Sequence, residues 1–148
     1  MLTSDKGSLL AVKYGKLQTF DVGTGVTIYE GALVAVKLGD GKLYKAEADN
    51  DDSERFLVVG FSRESCIAGV PAKIRVRMDG KYKLKFTGGT PVVGQLAIVL
   101  DDETLQPFDD AAGKKNVVAG RITEVVDNQT VFVDLEDKPT RIATSLYD

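Results

Sequence analysis

The sequence predicts an all-β protein, a small barrel-like domain built from two weakly similar four-strand units and preceded by an extended N-terminal arm. Three observations predict it. Short runs of Val, Ile, Leu, Phe and Tyr alternate with Gly, Asp and Asn along 148 residues. No amphipathic stretch of helical period persists beyond about three turns. One strand–turn–strand pattern occurs twice.

In chain order, Leu9–Val12 is a short apolar run inside an N-terminal arm or edge segment, residues 1–25. Gly25–Tyr29 places three β-branched residues in a row, Val26, Thr27 and Ile28, before Tyr29. Leu33–Leu38 is nearly continuous in small and β-branched residues, and Leu43–Ala46 follows it across the turn Gly39-Asp-Gly-Lys42. Phe56–Ser62 contains Gly60. Ala72–Arg77 and Lys81–Phe86 alternate strictly between basic and apolar residues. Leu96–Leu100 and Leu105–Phe108 flank the turn Asp101-Asp-Glu-Thr104, and Val117–Val125 and Thr130–Leu135 close the domain at residue 135. Asp109–Lys115 allows one helical turn, which Gly113 breaks. Residues 136–148 read as a tail.

The echo fixes the two units. Gly31-Ala-Leu-Val-Ala-Val36 returns as Gly94-Gln-Leu-Ala-Ile-Val99, and each copy then places four residues between two leucines, Leu38 and Leu43 or Leu100 and Leu105. Leu57-Val-Val-Gly60 matches Val117-Val-Ala-Gly120, and Lys73–Met78 matches Thr130–Leu135. The offset shrinks from 63 to 60 to 57 residues, as loops of unequal length require.

Composition narrows the function classes. The chain carries no His, so Ser-His-Asp or Cys-His catalysis and His-ligated zinc are closed to it. Its one cysteine, Cys66, forms no disulfide within the chain and reads as a packed strand residue. A net charge of −3 argues against a general nucleic-acid binder. No apolar run approaches the roughly 20 residues that cross a bilayer, and Asp5 spoils the N-terminus as a signal peptide. The expectation is a soluble, non-enzymatic binding or structural protein without a cofactor or small-molecule substrate.

The sharpest local feature is Pro71–Phe86. Its Asp79-Gly80 pair predicts a hairpin with the loop Met78–Gly80, which would pair Arg77 with Lys81, Arg75 with Lys83 and Lys73 with Lys85. Val76–Tyr82 and Ile74–Leu84 would form the apolar face. Opposed like charges repel, so the basic face needs anionic company: the chain's own acidic loops, an acidic partner, or nucleic acid. No aromatic residue interleaves the basic ones, which weakens a stacking site for single strands. A solvated strand face remains the plain alternative. Acidic clusters lie at Asp49–Glu54, Asp101–Glu103 and Asp109–Asp110; the first superficially resembles a calcium loop but lacks its Gly at the sixth position and Glu at the twelfth. Gly23–Gly25 and Gly88–Pro91 match no phosphate-binding fingerprint.

The order of features from Val26 to Leu135 resembles the capsid decoration, or cement, proteins of tailed bacteriophages. Ala68-Gly69-Val70-Pro71-Ala72, followed by alternating Ile74 and Val76, carries most of the resemblance together with Val93–Val99. It implies a β-tulip-like fold and trimers on the outer surface of the head, bridging neighbouring major capsid subunits. Such a protein is made in the host cytoplasm, resides on the virion, touches no membrane and has no catalytic residues to carry over. Candidate contact residues are Leu9, Leu10, Tyr14, Leu17 and Phe20 of the arm, and Lys73, Arg75, Arg77, Lys81, Lys83 and Lys85. The alternative is an oligosaccharide- or nucleic-acid-binding barrel that uses the basic Lys73–Lys85 hairpin face.

Overall fold

The computed structural model of the chain describes residues 17–48, 56–108 and 117–137. Within them lie β1 (Leu17–Asp21), β2 (Leu33–Lys37), β3 (Leu43–Lys45), β4 (Phe56–Ser62), β5 (Lys73–Arg77), β6 (Lys81–Phe86), β7 (Leu96–Val99), β8 (Thr104–Pro107), β9 (Val118–Asp127) and β10 (Thr130–Asp134). The expected strand at Leu9–Val12, the helical turn at Asp109–Lys115 and the cluster Asp49–Glu54 lie outside the described residues. Gly25–Tyr29 forms no strand; it contributes one bridge, Ile28 to Cys66.

The all-β expectation holds. One sheet runs β1-β5-β4-β2-β3, and the other closes into a barrel, β10-β6-β8-β7-β9. The second order is the first with every strand replaced by its counterpart, so each unit has five strands and not four. The extra ones are β1 and β6, which lead their units. The duplication extends to single hydrogen bonds. Gly23 N–H donates to Leu43 O at 3.0 Å as Thr87 N–H does to Leu105 O at 3.0 Å. Val22 N–H donates to Ala72 O as Phe86 N–H does to Gln129 O. The parallel β6–β8 pair that closes the second barrel shrinks in the first unit to one parallel bridge, Val22 to Leu43.

The predicted hairpin of β5 with β6 does not form. β5 pairs with β1 and β4, while β6 pairs with β10 and β8. Alternation sets which face of a strand is buried, and that much is correct: Ile74, Val76, Leu84 and Phe86 are inside. It does not choose the partner. The observed pairing places Asp21, Thr19 and Leu17 opposite Lys73, Arg75 and Arg77, and Thr130, Phe132 and Asp134 opposite Lys85, Lys83 and Lys81. No like charges face each other across these ladders, the penalty the hairpin would have carried. Met78–Gly80 is therefore the link between the two units.

The core explains why the echoed strands are continuously apolar. On β2, Val34 points into the first unit with Ile28, Leu43, Ile74 and Val76. Leu33 and Ala35 point the other way, and with Val58 and Phe61 of β4 they join the core of the second barrel around Leu84, Phe86, Leu105, Val131 and Val133. A strand buried on both faces cannot alternate. Leu33 N–H to Asp102 O (2.9 Å) and Ala48 N–H to Leu100 O (3.1 Å) tie the units together at the β7–β8 turn.

Both units carry a bulge at the same place, between Val34 and Ala35 opposite β4 and between Ala97 and Ile98 opposite β9. There Gly60 and Gly120 pass beneath the carbonyl oxygens of Arg77 and Asp134, and a Cβ at either position would overlap that oxygen. Gly31 and Gly94 are kept for a different reason: both have positive φ, +88° and +94°, in open space. Gly60→Ala and Gly120→Ala should each destabilise by about 3 kcal/mol or more through steric overlap. Gly31→Ala should cost only about 1–2 kcal/mol of backbone strain. Urea unfolding of the three variants checks both the ranking and the equivalence of the units.

Candidate functional site

The six basic residues of β5 and β6 occupy the surface, but their charge is largely met by the chain's own acids. Lys73 lies 3.5 Å from Asp21, Arg75 Nε 2.6 Å from Glu64, Arg77 Nε 3.2 Å from Asp79 and Lys85 Nζ 2.9 Å from Glu103. Glu64 also accepts the Arg75 backbone N–H at 3.1 Å. The Arg75 guanidinium and N–H hold the Glu64 carboxyl below its ordinary range, and the hydrogen bond to Glu103 raises Lys85 above its own. Among the described residues Lys81, Lys83 and Arg63 form no ion pair. Of the predicted arm contacts, Leu17 is exposed on β1 and Phe20 packs against the first core. Leu9, Leu10 and Tyr14 lie outside the described residues.

Two surface features stand out once the fold is assembled. One is the groove where the units meet. A cavity of 390 Å³ is lined by Glu30, Phe61, Arg63, Arg77, Tyr82 and Lys83 among others. A second, of 440 Å³, shares Gly31, Phe61 and Lys83 with it and continues along β6 to Lys85 and Glu103. The rings of Phe61 and Tyr82 stack across the junction at 4.1 Å, tilted by 39°. Burial pushes the Tyr82 hydroxyl above the ordinary tyrosine range. Tyr82 thus shares a groove with Arg77 and Lys83, where the hairpin had placed it on the opposite face.

The other feature is a tip in the β4–β5 connection. Ile67 and Val70 exchange both backbone hydrogen bonds, at 2.9 and 3.0 Å, around a two-residue turn of Ala68 and Gly69 with φ of +50° and +79°. A residue pair that exchanges both bonds has its side chains on one face. Ile67 and Val70 therefore stand side by side, 54% and 73% exposed. Tyr29, 64% exposed, follows Ile28, whose bridge to Cys66 anchors the base of the tip. Thr27 Oγ1 accepts the Ala68 N–H at 3.0 Å and steadies the turn.

Sequence reasoning missed both features. The tip had a usable signal, a two-residue turn between β-branched residues, but Ala in place of Asn or Asp hid it. The groove had none, because it joins β4, β5 and β6 across two units. No family model matches the chain, and no curated protein matches it.

The Glu64–Arg75 contact makes a pH prediction. A carboxyl held below its ordinary value of 4.5 stabilises the folded chain above that value, and the contribution disappears as pH falls through the folded-state pKa. Wild type should therefore exceed Glu64→Gln in melting temperature at about pH 7 and converge with it by about pH 3. Thermal melts at the two pH values check the sign; a gap that widens in acid would contradict it.

Proposed function

We propose that this chain is a structural capsid-binding protein of the phage decoration type, which sits on the outer head surface and stabilises the shell by bridging major capsid subunits. The observation that carries the reading is the tip. Ala68-Gly69-Val70-Pro71-Ala72, the stretch on which the resemblance chiefly rests, forms the turn that presents Ile67 and Val70 to solvent. Fixed apolar side chains on a tight turn lose little conformational freedom when they enter a crevice of a partner, so their burial is retained as affinity. An open sheet packed against a closed barrel supplies the rigid support such a contact needs.

The work asked of the protein is mass action. Copies that bind only the mature lattice stabilise that lattice, and assembly as trimers multiplies weak single contacts into avidity. Neither step needs a catalytic residue or a cofactor. The alternative, an oligosaccharide- or nucleic-acid-binding barrel, stood on a continuous basic hairpin face. That face is divided between two sheets, and four of its six cations have acidic partners within the chain.

Purified protein added to heads of its parent phage that lack it should bind at saturating, lattice-defined stoichiometry and raise their melting temperature. The double variant Ile67→Asp, Val70→Asp should keep its fold and bind about 30-fold more weakly or worse, the equivalent of about 2 kcal/mol. Heads that neither bind the wild-type protein nor gain stability from it would defeat the reading.

A further inference from the structure

The groove between the units holds an unpaired strand edge. On β6, Phe86 N–H donates to Gln129 O and Leu135 N–H donates to Gly80 O, both on the β10 side. In an antiparallel ladder the hydrogen-bonded pairs recur at every second residue, so Gly80, Tyr82, Leu84 and Phe86 direct their backbone groups toward β10. Lys81, Lys83 and Lys85 direct theirs the other way. Lys85 is used there, its N–H meeting Glu103 O at 3.2 Å next to β8. β8 pairs with β6 only at Lys85 and Phe86. The N–H and C=O of Lys81 and Lys83 therefore have no backbone partner among the described residues.

Lys83 lines both cavities of the groove, which together run along this edge. Their shared floor is Phe61, stacked on Tyr82. The charge is set by two cations without ion pairs, Arg63 and Lys83, against the one carboxylate of Glu30; Arg77 and Lys85 are engaged by Asp79 and Glu103. An elongated groove with a bare strand edge, an aromatic floor and excess positive charge has a matching ligand class.

We propose that this groove binds an extended acidic peptide segment of a partner protein, added as a strand along Lys81–Lys83. Backbone hydrogen bonds to the N–H and C=O of Lys83 supply affinity and register. Apolar side chains of the segment lie on Phe61 and Tyr82, and its carboxylates meet Arg63 and Lys83. Nucleic acid answers the charge and the rings, but it carries no peptide backbone to pair with the edge. This proposal does not rest on capsid binding.

The probe is a fluorescein-labelled peptide of roughly seven residues, alternating valine and glutamate, with the full-length chain as receptor. Binding should be saturable with Kd in the range of tens of micromolar. Amide hydrogen exchange at Lys83 should slow at least about tenfold in the complex, since a new hydrogen bond protects that N–H. A peptide with lysine in place of glutamate should not bind, and N-methylation of alternate residues should cost at least about tenfold. Arg63→Glu with Lys83→Glu should weaken the probe by a similar factor while leaving the amide spectrum dispersed. No binding would overturn the proposal. So would equal binding of the N-methylated peptide or of an oligothymidine, which would mean that the groove reads charge alone. Slow exchange at Lys83 in the free protein would mean that a segment of the chain itself occupies the edge, and would overturn it equally.

Discussion

The structure depends on five side chains, Ala46 after β3 and four on β2 and β4, that belong to one unit and are buried in the other. Leu33, Ala35, Val58 and Phe61 project from the outer face of β2 and β4 and pack into the core of the second barrel. Removing each such side chain from water is worth roughly 1.5–3 kcal/mol for the larger ones. With this face buried, β6 joins the second barrel and does not fold back onto β5. The chain crosses at Met78–Gly80, and two consequences follow from that one choice. The basic residues are divided between sheets, and β6 is left beside β4 and β5 with part of its edge unpaired. The groove is the seam of this packing.

The two units are copies in topology, bulges and closing hydrogen bonds, and they differ where one meets the other. The counterparts of Leu33, Ala35, Ala46 and Val58 are Leu96, Ile98, Phe108 and Val118, which form a separate small cluster. The counterpart of Phe61 is Arg121, whose Nη1 donates to Gly94 O at 2.7 Å and whose Nε lies 3.4 Å from Asp137. An aromatic ring that fills a shared core has become a charged side chain that ties down its own unit. Head-to-tail contact of the first kind would continue as a chain of units if the second face were also apolar and open. Arg121 caps that series within a single polypeptide.

Most of the framework was legible in the sequence because it is written in local patterns. Alternation revealed which face of β5 and β6 is buried, continuous apolar runs marked β2 and β7, and the spacing of glycines and leucines exposed the duplication. What was illegible is non-local. Strand pairing depends on which edges remain available once the units dock, so Asp79-Gly80 looked like a hairpin turn although it is a crossing. The sequence leaves β1 open between an arm and an edge segment because Leu17–Asp21 has little β-branching and only Phe20 is even half-buried; its partner β5 makes it an edge strand. The charge pairs were half legible. Repulsion within the basic segment demanded acidic company, but Glu64, Asp79 and Glu103 come from three separate loops that only the fold assembles.

The duplication also offers a comparison within one molecule. In the second unit, β9 continues unbroken though bulged from Val118 to Asp127 and turns at once into β10 through Asn128 and Gln129, with Asp127 Oδ1 accepting the Gln129 N–H. This is the connection the barrel needs when nothing else is asked of it. In the first unit β4 stops at Ser62, and residues 63–72 leave the sheet to build the tip before β5 begins. The departure moves Ile67 and Val70 into solvent, although the companion barrel closes and packs without such an excursion. Two β-branched side chains left exposed there forgo the stabilisation that burying them would contribute. The tip is thus a departure that closing the sheet does not require, and its exposed apolar side chains add nothing to the packing of either core.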